Sequence, residues 1–145
     1  MSEQKPIRAT GRCLCGAVRY DVRGPLRSGT ACHCDQCRRS SGSFTHATAA
    51  WKDTLRIEDA AGCLAWYASS DHGRRGFCRR CGSNLFFDPV GTERMAIGLG
   101  TLDKPTGLRI ANHIFVREKG DYYDIADGAT QYDTEPDSLP MPARD

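Results

Sequence analysis

Seven of the eight cysteines in this 145-residue chain stand in tight groups, and their spacing limits the possible folds more than any other feature. The groups are Cys13 and Cys15, then Cys32, Cys34 and Cys37, then Cys78 and Cys81. In a reducing compartment, clustered cysteines are metal ligands more often than disulfides. Zinc held by four protein sulfurs is structural, whereas zinc held by three keeps a position open. Seven thiolates therefore suggest a closed four-sulfur site and an open three-sulfur site.

The first and last pairs form the predicted four-sulfur site. Cys13 and Cys15 are two residues apart, so both side chains point to the same side of an extended strand. Cys78 and Cys81 have the spacing of a zinc knuckle, and each pair is followed by a glycine that can take a positive φ. Such a site would contribute directly to folding. Spacing alone leaves open a second partition, in which Cys13 and Cys15 join the middle cysteines.

The middle group, Cys32, Cys34 and Cys37, forms the predicted three-sulfur site. Soft thiolates favour zinc over magnesium or calcium, and an open position lets the ion activate a water or thiol or polarise a carbonyl. Two other interpretations remain. Cys63 could close the site as a fourth ligand, although a lone cysteine beside Leu64 is more often a small buried hydrophobe. The three thiols could also cycle through a disulfide without metal.

Several polar residues stand near the cysteines. The ring of His33 should point away from the two neighbouring sulfurs if its segment is extended, which predicts a place behind the ligands or in the core. His46 follows an aromatic residue and is predicted to be structural. Arg38 and Arg39 either balance thiolate charge or form a clamp for the carboxylate of an acidic substrate such as a thiol tripeptide.

The pattern of apolar residues predicts a mainly β protein. Apolar and polar residues alternate over 18–22, 55–57, 95–99, 108–110 and 114–116, and no long stretch has a helical period. A brief turn or a single helical turn is expected over 35–40. The length predicts a single domain over residues 1–145, with a body from about 8 to 130 and a proline-containing surface tail over 131–145.

Charge and hydropathy limit the partners. The formal net charge is +2, and two zinc ions bound by seven thiolates would bring it close to neutral, so no nucleic-acid partner is expected. The polar N-terminus lacks the apolar stretch of a secretory signal, and no apolar run reaches the ~18 residues of a membrane span. We expect a cytoplasmic protein without a membrane partner, and exposed strand edges would allow a homodimer.

Three segments of this sequence resemble the glutathione-dependent formaldehyde-activating enzyme family. They are GRCLCGAVRY at 11–20, CHCDQCRRSSG at 32–42 and RGFCRRCGS at 75–83. The stretch NHIFV at 112–116, with Lys119, fits the C-terminal strand of that family. The resemblance covers roughly 11–125, and the order of the three cysteine blocks is specific. The chain departs from the family by placing Tyr122 and Tyr123 where an aromatic residue, usually tryptophan, follows the late lysine.

The resemblance implies an Mss4-like fold of several small coiled antiparallel β-sheets organised around zinc. It implies a structural zinc on Cys13, Cys15, Cys78 and Cys81, and a catalytic, more labile zinc on Cys32, Cys34 and Cys37. It also implies a carbon–sulfur lyase similar to S-(hydroxymethyl)glutathione synthase, which forms or cleaves the adduct of a small thiol such as glutathione with formaldehyde or another aldehyde.

Two other functions compete with the enzyme. The same fold serves non-catalytic zinc-binding modules that contact a protein partner, which is the main alternative and predicts one zinc per chain. A zinc-ribbon nucleic-acid binder would explain the paired knuckles and arginine doublets, but the near-neutral charge argues against it.

Overall fold

The computed structural model describes residues 5–137 and 139–144, which form eleven strands, one short α-helix and three short 3-10 turns. The strands are β1 (Ala9–Arg12), β2 (Arg19–Val22), β3 (Gly29–Cys32), β4 (Thr45–Trp51), β5 (Leu55–Glu58), β6 (Leu64–Ser70), β7 (Gly73–Cys78), β8 (Asn84–Pro89), β9 (Arg94–Gly98), β10 (Ile110–Ile114) and β11 (Thr130–Gln131). The helix α1 spans Asp35–Ser41, and the turns span Lys52–Thr54, Leu99–Thr101 and Val116–Glu118. The predicted mainly β class is confirmed.

The strands form two sheets. The smaller sheet has the order β1-β2-β5 and is antiparallel, and the larger has the order β11-β10-β3-β4-β9-β8-β7-β6. Within the larger sheet, β10 runs parallel to both β3 and β11, and the other neighbours are antiparallel. The parallel register sets Cys32 opposite Ile114 and Ala31 opposite His113. The C-terminal strand β10 therefore lies directly beside the segment that carries the middle cysteines.

The core draws residues from both sheets and includes Val18, just before β2, and the apolar residues of β2. Val18 and Val22 have no exposed surface, and Tyr20 is 2% exposed. The Tyr20 hydroxyl lies 2.7 Å from Thr101 Oγ1, and its ring meets Phe86 edge-on with 5.4 Å between centroids. Full burial of such side chains stabilises a fold by about 1.5–3 kcal/mol each. These contacts tie the smaller sheet to the larger one.

Local chemistry determines where two predicted elements begin and end. The turn predicted over 35–40 is the helix α1, which begins after Cys34 as N-cap and ends at Gly42, where φ is 83°. Glycine takes this left-handed conformation without the steric cost that a side chain adds. Where two strands were predicted, around 108–110 and 114–116, the structure has the single strand β10 over Ile110–Ile114. This strand ends before Phe115, which has a φ of 54° and turns the chain.

The described part of the predicted tail lies along the surface and is held there by specific contacts. The backbone N–H groups of Phe115 and Val116 donate to the carbonyls of Thr134 and Tyr132. Arg144 lies 2.7 Å from both carboxylate oxygens of Asp53 and 4.3 Å from the ring centroid of Trp51. Among the described residues, no helix is long and apolar enough to cross a membrane.

Candidate metal centres and active site

The first sulfur cluster joins two distant parts of the chain. Cys13 and Cys15 follow β1, whereas Cys78 ends β7 and Cys81 lies in the turn before β8. The Sγ atom of Cys15 lies 3.6 Å from that of Cys13 and 3.8 Å from that of Cys78, and all four Sγ atoms lie within 4.8 Å of one another. Two sulfurs on a tetrahedral zinc, each at about 2.3 Å from the ion, are about 3.8 Å apart. The donor set and its spacing fit zinc.

Backbone and hydroxyl groups around this cluster favour thiolates. Burial opposes the ionisation of Cys13, but the Val18 N–H, 3.3 Å from its Sγ, and contacts with neighbouring thiols outweigh it and lower the pKa. The hydroxyl of Ser83, 3.3 Å from Cys81 Sγ, and nearby backbone N–H groups lower the pKa of Cys81 to about 5. Hydrogen bonds to the charged form of a group favour that form. At Cys15 the N–H of Ala17 favours the thiolate, but burial and the thiols of Cys13, Cys81 and Cys78 raise the pKa to about 11. The four sulfurs would therefore ionise together only around a shared cation.

The second cluster lies where β3 runs into α1. Cys32 ends the strand, Cys34 caps the helix and Cys37 lies in its first turn, and their three Sγ atoms lie within 4.8 Å of one another. The Cys34 Sγ accepts a hydrogen bond of 3.3 Å from the Cys37 backbone N–H. Nη2 of Arg75, on β7, lies 3.7 Å from the Cys37 Sγ. Strand, helix cap and guanidinium thus fix the three sulfurs relative to one another.

Three thiols this close cannot all ionise without a cation. Contacts with the thiols of Cys34 and Cys37, together with burial, raise the pKa of Cys32 well above its usual range. Contacts with the thiols of Cys32 and Cys34 lower the pKa of Cys37. Like charges at short range oppose one another, so one thiolate forms at the expense of the others. A soft divalent cation such as zinc removes this conflict, which makes the three-sulfur set a fitting metal site.

His33 begins a chain of hydrogen bonds behind the middle cysteines. It is 1% exposed, and its ring centroid lies 4.5 Å from that of Phe44. Its Nδ1 is hydrogen-bonded to the hydroxyl of Tyr123, and its Nε2 lies 2.8 Å from Nδ1 of His113. Nε2 of His113 lies in turn 2.8 Å from Oδ2 of Asp127. Burial, with the nearby His113 and Lys119, lowers the pKa of His33 to about 4.

Sequence reasoning missed His113 and Asp127 as site residues. His113 lies within an alternating strand and so reads as a strand residue, and Asp127 precedes Gly128 in a stretch that reads as a surface turn. The contact of His113 with His33 depends on the parallel register of β10 against β3, which local sequence does not encode. The available signal was that His113 stands in the family-like stretch 112–116.

The remaining candidates lie outside both sulfur clusters. Cys63 is 4% exposed within the hydrophobic core, and among the described residues neither metal-binding group includes it. His46 meets Phe44 edge-on with 5.3 Å between centroids, in keeping with a structural residue. Arg38 and Arg39 both bind Oδ1 of Asp35, at 2.7 Å and 3.0 Å. In this structure, then, the arginine pair is engaged within α1.

Comparison with known proteins agrees with the cysteine pattern. Residues 8–118 match the family model described as glutathione-dependent formaldehyde-activating enzyme. A Halomonas elongata protein named "Putative glutathione-dependent formaldehyde-activating enzyme" is 37% identical over 124 residues, which cover 79% of each chain. A Schizosaccharomyces pombe protein named as an uncharacterized lyase is 26% identical over 124 residues, covering 84% of this chain and 88% of its own.

The fold also has a relative among solved structures. A crystal structure of a Rhodobacter sphaeroides protein has a TM-score of 0.53 and 22% sequence identity, covering 85% of this chain and 98% of that chain. This likeness concerns the fold alone. The family model covers most of the sequence and includes all seven clustered cysteines. The chain therefore belongs to the glutathione-dependent formaldehyde-activating enzyme family.

Proposed function

We propose that this protein is a zinc-dependent carbon–sulfur lyase that forms or cleaves the adduct of a small thiol with formaldehyde or another small aldehyde. The observation that carries the proposal is the unequal size of the two sulfur clusters, four Sγ atoms in one and three in the other. A tetrahedral ion on three sulfurs keeps one position for an outside ligand. Membership of the family, and a relative named as a lyase, support the reaction class.

The two clusters have different proposed roles. The structural site consists of Cys13, Cys15, Cys78 and Cys81, and the catalytic site consists of Cys32, Cys34 and Cys37. At the catalytic site, a bound zinc ion would supply a Lewis acid that favours the thiolate form of a thiol and polarises a carbonyl. Glutathione is the proposed thiol, since the family and one relative carry its name.

The reaction is an addition and its reverse. The thiol sulfur bonds to the carbonyl carbon, the π electrons of the C=O bond move to oxygen, and the proton of the thiol ends on that oxygen as a hydroxyl. Cleavage breaks the same C–S bond and returns the proton to sulfur. No oxidation or reduction takes place, so the residues of the chain need only bind, orient and stabilise charge.

Two residues of the chain stabilise the charged site. Arg75 places its guanidinium 3.7 Å from the Cys37 Sγ and offsets part of the negative charge of the three sulfurs. Cys34 serves both as a sulfur donor and as N-cap, so the helix α1 fixes the separation between Cys34 and Cys37. This rigidity would keep the three donors in place around a bound ion.

Arg38 is the proposed clamp for a substrate carboxylate. Its side chain is 33% exposed and that of its partner Asp35 is 54% exposed, so the ion pair can open to solvent at little cost. A guanidinium binds a carboxylate with two parallel hydrogen bonds. Arg38→Gln should therefore raise KM for glutathione several-fold and leave KM for 2-mercaptoethanol, which has no carboxylate, unchanged. An equal change for both thiols would argue against the clamp.

The reaction itself can be tested by NMR exchange spectroscopy of formaldehyde with glutathione. The sharpest variant is Cys34→Ser, because serine keeps an N-cap acceptor for the Cys37 N–H and removes one sulfur donor. The control is Cys63→Ala, which removes a buried cysteine outside both clusters. We expect wild type and Cys63→Ala to accelerate the exchange, and Cys34→Ser to lose at least about 100-fold while it stays folded. Equal acceleration by wild type and Cys34→Ser would discard the proposal.

A further inference from the structure

A chain of four side chains runs from the surface to the middle cysteines. Asp127 binds His113, His113 binds His33, and His33 binds the hydroxyl of Tyr123. The two imidazoles are buried, with 3% and 1% of their surfaces exposed, whereas the Asp127 side chain is 43% exposed. His33 lies in the segment that carries the middle cysteines, and the Tyr123 ring packs 5.1 Å from Phe44 just after α1, so the chain ends near this segment.

The carboxylate of Asp127 sets the direction of every hydrogen bond in this chain. An ionised carboxylate only accepts, so Nε2 of His113 carries a proton and donates. In a neutral imidazole the other nitrogen then accepts, so Nδ1 of His113 accepts a hydrogen bond from the N–H at Nε2 of His33. Nδ1 of His33 is left as an acceptor, and Tyr123 must donate its hydroxyl proton to it.

These hydrogen-bond directions are those of a chain with two neutral rings. His33 is buried and contacts a histidine and a phenol, with no carboxylate among its hydrogen-bond partners in the described residues. A buried imidazolium without an anionic partner would pay a large desolvation cost. The Asp127 carboxylate remains ionised because the N–H of Ala129 and the ring of His113 both stabilise its charge and hold its pKa below the usual range.

We propose that Asp127 and His113 are positioning residues, which fix His33 as an acceptor so that Tyr123 points its proton inward and offers its oxygen lone pairs to the hydroxyl of a hydroxymethyl thiol adduct. The inference rests on the proposed function and deepens it, because it names the hydroxymethyl group as the part of the substrate that this chain recognises. The free thiol has no such hydroxyl and gains nothing from Tyr123.

The position of the Tyr123 ring supports this role. Its centroid lies 5.5 Å from that of His33 and 5.1 Å from that of Phe44, and Nζ of Lys119 lies 4.7 Å from its centroid. The same ammonium group donates to the Tyr123 carbonyl. Ring packing and the lysine therefore hold the phenol against His33, and the residue stays partly exposed, so a small substrate can reach it.

The substitution Asp127→Asn should reverse the chain without moving its heavy atoms. Oδ1 of Asp127 accepts from the N–H of Ala129 at 3.0 Å, so the amide oxygen of asparagine stays at that N–H and its NH₂ group faces His113. An amide NH₂ only donates, so Nε2 of His113 becomes an acceptor and its Nδ1 becomes a donor. His33 changes in the same way, so Tyr123 accepts a hydrogen bond from His33 Nδ1, turns its own O–H outward and has one lone pair fewer to offer the substrate.

Long-range ¹H–¹⁵N correlation spectra of the histidine rings test this reversal in the full chain as purified. We expect both His33 and His113 to carry the proton on Nε2 in the wild type and on Nδ1 in Asp127→Asn. The matched control is Asp124→Asn, a change of the same charge at an exposed position of the same loop. This control should leave the proton on Nε2 in both His33 and His113.

Kinetics test the contact with substrate. Asp127→Asn and Tyr123→Phe should each lower kcat for adduct cleavage about tenfold, the worth of one hydrogen bond, and leave KM for free glutathione unchanged. The double variant should be no slower than either single one, because both remove the same contact. Asp124→Asn should retain wild-type kcat.

Three outcomes would overturn the inference. Unchanged tautomers in Asp127→Asn would refute the directed chain, and wild-type kcat in Tyr123→Phe would refute the substrate contact. Additive losses in the double variant would separate the two effects and refute the link between them. A wild type that does not accelerate the exchange of formaldehyde with glutathione would instead refute the proposed function, while the tautomer spectra would still decide whether Asp127 directs the chain.

Discussion

The Sγ atoms of Cys15 and Cys78 lie 3.8 Å apart although 63 positions separate the two residues in the chain. This contact joins the loop after β1 to the end of β7, and so links the smaller sheet to the far part of the larger one. Four thiols in such contact have little to hold them together except a shared cation. The stability of the fold should therefore depend on the metal.

Removing one sulfur from this cluster should unfold the protein. Structural zinc sites contribute about 10–16 kcal/mol of apparent binding free energy, which is as large as the net stability of a domain, about 5–15 kcal/mol. We expect Cys78→Ser to lose the cooperative thermal transition seen by circular dichroism. The control Cys63→Ala, also at a buried position, should cost about 1–2 kcal/mol and keep the metal content. A cooperative transition near the wild-type temperature in Cys78→Ser would contradict a structural role.

A second prediction concerns the close approach of β1 to its neighbours. A Cβ atom on Gly11 would lie 2.5 Å from the carbonyl oxygen of Thr101 and would collide with the Tyr20 hydroxyl. We expect Gly11→Ala to lower the free energy of unfolding by about 1–3 kcal/mol in urea titrations, because buried groups must shift. Gly100→Ala is the matched change, since no atom lies within 4 Å of its Cβ. It should be neutral or slightly stabilising, and an equal loss in both variants would refute the explanation.

A third prediction concerns the charge beside the three-sulfur cluster. Arg75 contacts Cys37, whereas the preceding residue, Arg74, binds Asp88 at 2.9 Å and lies over the Trp66 ring. Arg75→Gln should weaken metal binding at this cluster by about 10–100-fold, the usual effect of losing a group that supports metal ligands. Arg74→Gln should leave it unchanged. Competition with a chromogenic chelator measures both, and identical affinities in the two variants would show that Arg75 does not support the site.

His33 should contribute to the pH dependence of the free energy of unfolding. Burial, His113 and Lys119 lower its pKa to about 4 in the folded protein, against 6.5 for an ordinary histidine. The unfolded chain therefore binds one more proton than the folded protein between these values, and the free energy of unfolding should fall as the pH decreases from about 6.5 to about 4. Above this window His33 contributes no slope. NMR titration of its ring protons gives the midpoint directly, and a midpoint near 6.5 would contradict the assignment.

Parts of the fold could be predicted from local pattern. In β5 the apolar residues are partly buried and the polar ones are exposed, whereas in β2 Tyr20 and Val22 are buried and so is Asp21 between them. The spacing of Cys13 and Cys15 places both sulfurs on one side. The strands β6 to β8 could not be predicted from an alternation of apolar and polar residues. Gly73 and Gly76 have no side chains, and Arg74 lies over an aromatic ring within the sheet, so the alternation is interrupted.

The hydrogen-bond chain near the proposed active site could not be predicted from the sequence. His33 and Tyr123 are 90 positions apart, and His113 meets His33 because β10 runs parallel to β3 in one particular register. Parallel pairing between distant strands is a tertiary property without a local signal. The cysteines, by contrast, are grouped along the chain itself, so the three groups are recognisable in the sequence. Spacing left open which group Cys13 and Cys15 would join, and the structure places them with Cys78 and Cys81.

The central claim is that seven sulfurs hold two metal ions unequally, and elemental analysis of freshly isolated protein tests it most directly. The wild type should contain two zinc ions per chain, and Cys34→Ser, which alters only the three-sulfur cluster, should contain one and remain folded. A single zinc in both proteins, or two in both, would contradict the account.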